Sequence, residues 1–426
     1  MPFYPILVPG SASPGDEKFS PQSRWKESRS QPTNTRPVKP YDVVVVGGGP
    51  AGAAAALVLA RGGARVALLD RQRFPRDKVC GDALGPGTVE VLTRLGLMPG
   101  FLACQPYRID GIRFVGPDGG EVTPKNPARP GYVLQRLTLD DFLFRTAGQA
   151  GAEVFEATKV TALERAGDRI VGVRAGDTTW PCRFVIGADG EHSVVRQQVG
   201  VDTNSATTRA FALRYYVSNL NSMLDNVMEI LCDHELLPGY AWVFPLPNGG
   251  ANVGCGMLAQ DLHRSERSLT RYFQDWLDAP VQKARWAHAV SSGRPRGWPL
   301  SLGSRLQKRA GPGWMLCGDA ASLVDPLTGE GIHAAIHSGE LAAQAILAHP
   351  DDAAGQYESA CQKVYGRHLR AASLLQSKGR SAASVNRMVR SAGRHADLAM
   401  DMLGVFGGVL PATVLLRPLG LWRYLW

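Results

Sequence analysis

Residues 44–55 read VVVGGGPAGAAA. A β-branched run meets three glycines, and small helix-forming residues follow at once. The apolar run begins at Tyr41, and YDVVVV shows no polar alternation, which predicts a strand covered on both faces. PAGAAAALVLAR then predicts a helix that Gly62 and Gly63 end. Arg65 to Asp70, RVALLD, predicts a second buried strand, so a β-α-β unit closes within about 30 residues. Gly47, Gly49 and Gly52 satisfy G-x-G-x-x-G at the join. The first allows the tight turn, the second lets backbone approach a pyrophosphate, and the third lets helix pack on strand. The helix that starts at Pro50 offers phosphates the free N–H groups of its first turn, from Ala51 on, since proline itself has none. Asp70 lies about 20 residues on, where a carboxylate accepts ribose hydroxyls, and Arg71 follows it. A dinucleotide is the expected ligand, and the motif alone does not separate NAD from FAD.

The chain around this unit has 426 residues, 44% of them hydrophobic, and a net charge of +9. That length suggests two intermixed domains. The charge is spread along the chain with no dense basic block, which argues against nucleic-acid binding. The seven cysteines, Cys80, Cys104, Cys182, Cys232, Cys255, Cys317 and Cys361, form no CxxC pair. Neither a disulfide framework nor a structural zinc site is expected, and a reducing cytoplasm fits. His333 and His337 stand four apart but lack a third ligand, so no metal is expected. No apolar run is long enough for a spanning helix. Residues 1–40, rich in Ser, Pro and charge, are expected to be a disordered tail without the apolar core of a signal peptide.

Further on, Asp140 to Gly151 reads as a helix, EVFEATKVTAL as a strand after it, and RFVIGAD as another strand. Between Thr207 and Met257, FALRYYV, VMEILC, YAWVFPL and ANVGCGM read as antiparallel strands of a second domain, with Asn248 to Gly250 as a turn. Trp314 to Gly318 returns to a buried strand, Gly331 to Ala348 to a long helix, and the remainder is helical. The expected class is α/β: a Rossmann-like FAD-binding domain with an inserted antiparallel-sheet substrate domain and a helical C-terminal region. The expected boundaries are 41–104, 132–204 and 300–348 for the first, 105–131 and 205–299 for the second, and 349–426 for the third.

Two segments point from dinucleotide to FAD. GADGEHSVVR at 187–196 and CGDAASLVDPLTGEG at 317–331 resemble segments of the flavoprotein monooxygenase-like superfamily. The resemblance implies that Asp189-Gly190 lies near the pyrophosphate, and that Gly318-Asp319 holds the ribityl chain. It also implies that Arg136 faces the cofactor. A helix beginning near Gly331 and Ile332 would aim its N-terminus at the flavin pyrimidine, with Gly329 and Gly331 allowing close approach. Turn formation and helix capping are the alternative roles of Asp189 and Asp319.

FPRDKVCGDAL at 74–84, GYAWVFPLPNGGANVGCG at 239–256 and GDAASLVDPLTGEGI at 318–332 resemble the geranylgeranyl reductase family within that superfamily. The likeness covers about residues 41–345. It implies reduction of C=C bonds of a prenyl or similar apolar chain by reduced FAD, with NAD(P)H or a ferredoxin-like carrier as donor. Lys78, Cys80, Gly81 and Pro326 then belong beside the cofactor. Cys80 would serve as proton donor or sulfur–flavin contact, or else is a small buried hydrophobe. Tyr240, Trp242 and Phe244 alternate along one strand and so share a face, closed by Pro245. They would line a tunnel for the chain or pack the second domain's core, and Tyr240 and Trp242 join Cys80 as candidate catalytic residues. The alternative chemistry is an oxygen-dependent monooxygenase or halogenase. The halogenase motif W-x-W-x-I-P is absent, since Tyr240 replaces its first Trp and Phe244 its Ile. A flavin carrier without turnover is a third alternative. GVFGGVLPATVLLRPLGLWRYLW, with Arg417, Trp422, Arg423 and Trp426, suits a bilayer interface, with peripheral contact on the cytoplasmic membrane face; closing the substrate tunnel and packing onto the core are the alternatives.

Overall fold

A computed structural model describes residues 39–201, 208–220, 223–265, 267–279, 285–291, 293–303 and 308–416. Tyr41–Val46 (β1), Pro50–Arg61 (α1) and Val66–Leu69 (β2) form the expected β-α-β unit. β1 is the middle of a parallel layer. It pairs with β2 on one side and Thr178–Gly187 on the other, and Glu153–Phe155 and Trp314–Leu316 extend the layer. The valines of β1 are buried, as a strand covered on both faces requires. α1 covers one face together with the helix Ile332–Ala348, and the two approach closely at Gly339. A Cβ there would lie 2.1 Å from the Ala51 carbonyl oxygen. The small residues of α1 therefore let two helices share one sheet face.

Three boundaries differ from the expectation. The helix expected from Asp140 begins at Arg136, because the Arg136 guanidinium reaches both oxygens of Asp140 one turn on (2.6 and 2.8 Å) and closes the first turn. The single strand expected over EVFEATKVTAL is two, Glu153–Phe155 and Val160–Ala166. Ala157 between them is left-handed (φ 52°), and Thr158 N–H turns to the Asp70 carbonyl. The strand expected to Gly318 stops at Leu316, and Gly318, also left-handed (φ 59°), opens a 3-10 turn.

The second sheet runs, in spatial order, Val290–Ser291, Arg209–Ser218, Ala251–Leu258, Tyr240–Pro245, Val227–Leu231, Gly111–Val115 and Glu121–Val122. Arg296–Ser301 also pairs with Arg209–Ser218. All pairs are antiparallel except Val227–Leu231 with Gly111–Val115. The helices Ala353–Lys378, Ala382–Arg394 and Ala396–Phe406 follow. Val385, Val389, Leu398 and Met402 join Phe114 and Trp242 in one buried cluster, so this helical end covers the second sheet. Val405, Ala412, Val414 and Leu415 are buried in the same cluster. Arg417, Trp422, Arg423 and Trp426, like the expected tail up to residue 38, lie outside the described residues. Among the described residues no helix is long and apolar enough to cross a membrane.

Candidate functional site

At the carboxyl ends of the parallel strands, where open α/β sheets bind ligands, lies a cleft of about 390 Å³. The glycines that shape it admit no side chain. Gly47 is left-handed (φ 103°), and a Cβ would lie 2.3 Å from the Ala188 carbonyl oxygen. At Gly52 a Cβ would lie 1.8 Å from the Gly47 oxygen, so the third glycine serves helix–strand contact and is not on the cleft wall. Gly49 is nearly free of neighbours, with only the Arg76 guanidinium at 3.4 Å, which leaves its backbone open to a ligand. Pro50, Ala51, Asp70 and Arg71 line the same wall. Asp70 accepts from Gly48 N–H and Gln72 N–H (both 2.8 Å), which fixes its carboxylate at the end of β2.

Asp189 and Gly190 also line the cleft. The Asp189 carboxylate is engaged locally: Ser193 Oγ donates to one oxygen (2.5 Å) and Val194 N–H to the other (2.7 Å). The capping role thus holds for this side chain. Gly190, left-handed (φ 78°) with nothing near a Cβ, turns the chain past the cleft.

Asp319 stands at the junction of the cleft with a second, apolar cavity of about 200 Å³. Lys78 Nζ donates to it at 2.8 Å. Burial pushes the Asp319 carboxyl up, but Lys78, Arg136 and Arg196 outweigh this and hold it below the usual range. Gly331 and Ile332 line both cavities where the helix Ile332–Ala348 begins, and Gly318 lines the cleft. Trp298, which sequence reasoning did not single out, lines both too. Lys78 Nζ stands 5.6 Å from its ring centre and His192 meets it edge-on.

The apolar slot is lined by Cys80, Gly81, Pro326 and Gly329 together with Tyr240, Trp242 and Phe244. The three aromatics do share a face, with successive ring centres 6.3 and 6.1 Å apart. They also belong to the second sheet's core, so wall and core are the same residues. Pro245 ends the strand and is not on the slot wall. Tyr240 OH donates to the Thr328 carbonyl, tying the strand to the 325–331 loop. His368 and Asp325 pair behind that loop, and Gln376 donates to the Pro326 carbonyl. Glu330, in the slot wall, accepts from His333 N–H; burial raises its carboxyl to about 7.

A hub not foreseen from the sequence joins these parts. Asp82, fully buried and left-handed (φ 66°), accepts from Tyr216 OH (2.6 Å), Asn252 Nδ2 (2.8 Å) and Arg136 N–H (3.2 Å). Asn252 Nδ2 also donates to the Cys80 carbonyl (2.7 Å), and its oxygen accepts from Trp242 Nε1 (3.0 Å). Burial drives the Asp82 carboxyl up to about 6 against these donors. The Cys80 thiol is also pushed up by burial, with Arg136 opposing in part, so at neutral pH it is a neutral thiol. The signal for Asn252 was there: a lone amide in an apolar strand must find partners. Among the described residues no three His, Cys, Asp or Glu gather as for a metal ion.

The glycine cradle, the carboxylate at the end of β2 and the Lys78–Asp319 pair at the junction are the groups that a pyrophosphate and a polyol call for. Residues 40–368 match the FAD binding domain family model. The chain is an FAD-binding oxidoreductase of the geranylgeranyl reductase family. Menaquinone reductase of Mycobacterium tuberculosis is 37% identical over 342 residues, 76% of this chain and 81% of the relative. Digeranylgeranylglycerophospholipid reductase of Methanosarcina mazei is 31% identical over 72% of this chain and 74% of its own length. The crystal structure of a geranylgeranyl bacteriochlorophyll reductase-like protein from Thermoplasma acidophilum superposes with a TM-score of 0.77 at 24% identity, covering 88% of this chain and 98% of that one. Flavin-dependent halogenases share the fold as well.

Proposed function

We propose that this family member saturates C=C bonds of a prenyl or similar apolar chain. The observation that carries the proposal is the aromatic-walled slot opening off the FAD cleft at Asp319 and Gly331, with Cys80 in its wall. When bound and reduced, FAD supplies a hydride to one alkene carbon. Gly47, Gly49 and the start of α1 would hold the pyrophosphate, Asp70 the ribose, and Lys78 with Asp319 the ribityl chain. Tyr240, Trp242 and Phe244 lay the apolar chain along the flavin and exclude water, which an unactivated alkene requires for close positioning. The Cys80 thiol, neutral at physiological pH, holds a proton near the second carbon. NAD(P)H or a ferredoxin-like carrier replenishes the electrons, and the enzyme works at the cytoplasmic face of the membrane where such chains reside.

The test is anaerobic incubation of the FAD-loaded protein with dithionite and polyprenyl compounds, read by mass spectrometry. Products heavier by pairs of hydrogens are expected. Oxygen or halogen incorporated in an aerobic run, with no hydrogenated product without oxygen, would replace the proposal by an oxygenase or halogenase. Full activity of Cys80→Ala would remove the thiol from the proton step.

A further inference from the structure

The slot is not the end of the apolar space. A cavity of about 230 Å³ lies beyond it, between the strand Gly111–Val115 and the segment that follows the helix Ala396–Phe406. The two cavities share three wall residues, Gly85, Ile112 and Met228. Gly85 carries no side chain, and a Cβ there would strike the Gly407 carbonyl at 2.5 Å, so the backbones already touch at this neck. Ile112 and Met228 are buried and face it from neighbouring strands. Methionine, with an unbranched and flexible chain, yields readily. Phe406 stands on the slot side of the neck, held edge-on by Phe114 with ring centres 4.9 Å apart.

Leu403, Val409 and Leu410 form the far wall, all partly exposed. The rim carries both signs of charge: Asp110 and Asp401 against Arg129, which is itself paired with Glu90. With Arg108 paired to Asp110 as well, the rim carries three carboxylates against two guanidiniums, and a net negative rim gives no seat to a phosphate or other anionic head group. Its interior, like the slot's, suits hydrocarbon.

We propose that this second cavity is the seat of the far, uncharged end of the substrate chain, so that the Ile112–Met228 neck and the Leu403–Leu410 wall set the longest chain accepted. The inference rests on the proposed function for the chemical class of the substrate. The reacting bond lies in the slot; isoprene units beyond it pass the neck. Chains too short to reach the neck make no use of the far wall.

Two measurements test this on the FAD-loaded full chain. First, Leu403→Trp and Leu410→Trp are assayed anaerobically with dithionite on polyprenyl alcohols of two, four and eight isoprene units. The expected result is a fall of about tenfold or more in kcat/KM for the eight-unit chain and a change within about twofold for the two-unit chain, the scale at which a filled apolar pocket discriminates. Equal effects at every length, or none at any, would overturn the proposal. Second, the indole introduced by Leu410→Trp is probed with long and short alkyl alcohols brominated at the far end. Quenching beyond that of wild type is expected with the long probe alone. That readout needs no turnover. If no polyprenyl compound is reduced but the long probe quenches, the reaction assignment fails and the chain seat stands. Without excess quenching the seat is discarded, whatever the activity.

Discussion

The Asn252 amide bridges two parts of the molecule: its Nδ2 donates at 2.8 Å to the Asp82 carboxylate and at 2.7 Å to the Cys80 carbonyl. Asp82 and Cys80 sit on a loop that leads from the nucleotide cleft; Asn252 sits in the middle of the second sheet. Because the other end of the same amide accepts from Trp242 Nε1, one side chain fixes both walls of the slot relative to each other. A hydrophobic contact would allow sliding; three directed bonds from a buried amide do not.

Asn252→Ala should leave the Trp242 N–H and the Cys80 carbonyl without partners in a buried site. Stranding such groups costs about 1–3 kcal/mol each, and a total loss of about 2–4 kcal/mol is expected in urea unfolding. Asn252→Asp should be no rescue, because it faces Asp82 with a second carboxyl. A variant as stable as wild type would show that the amide does not hold the two walls together.

Asp82 carries a pH dependence of definite sign. Its carboxyl lies at 3.8 in the reference state and is raised by burial to about 6 in the fold. Between those values the folded protein keeps a proton that the unfolded chain has lost. The stability contributed by Asp82 is therefore present below about pH 4 and falls as pH rises toward 6, with no further change above. Asp82→Asn should remove that fall. Unfolding curves of wild type and variant, compared from pH 4 to 7, should converge at the acid end. A difference that stays constant with pH would mean the carboxyl is ionised throughout.

How far the sequence foretold this arrangement depends on whether a feature is local. The glycine join, the strand before it and the helix after it are determined by residues a few places apart, and Gly47, Gly52 and Asp70 stand as periodicity and steric argument place them. The alternation of Tyr240, Trp242 and Phe244 likewise followed from strand geometry alone. Arg136 was placed outside a helix that it in fact begins, because its pairing with Asp140 closes the first turn, and strand and helix ends are decided by such single contacts. Asp82, Trp298 and Glu330 acquire meaning only when loops far apart in the chain meet, and no spacing rule reports that. Asp189 shows the opposite limit: the motif located it at the cleft, but its carboxylate is used by its own turn.

The second and third glycines of the join should behave differently on substitution by alanine. At Gly52 the new methyl would stand 1.8 Å from the Gly47 carbonyl oxygen, a backbone clash relieved only by moving α1 off β1. A loss of about 3 kcal/mol or more, or failure to fold, is expected. At Gly49 the methyl meets only the end of the Arg76 side chain at 3.4 Å, so Gly49→Ala should fold with near wild-type stability. It should still bind FAD more weakly, because the methyl projects into the cleft. Thermal unfolding of the apo forms and FAD titration separate the two effects. Equal FAD affinity in folded Gly49→Ala would mean that the pyrophosphate does not approach that backbone.

Lys78→Met isolates the pair at the junction of cleft and slot. Methionine keeps the unbranched stem as far as Cε and removes the ammonium that meets Asp319 at 2.8 Å. A charge-assisted hydrogen bond of this kind is worth about 1.5–3 kcal/mol. Losing it frees the Asp319 carboxylate from its largest stabilising neighbour, while the burial that opposes its charge remains. In wild type the carboxyl is held below its usual range, so the stability it contributes is complete above pH 4 and is lost only as pH falls through that lowered value. In the variant the folded carboxyl moves up toward its unfolded value, so this loss of stability on acidification should shrink. FAD affinity should weaken by about tenfold at neutral pH and drop further on acidification, since a protonated Asp319 is a weaker acceptor for a ligand hydroxyl. Fluorescence titration of FAD against both proteins from pH 5 to 8 measures this. Parallel curves would show that Lys78 acts on the cofactor directly and not through the charge state of Asp319.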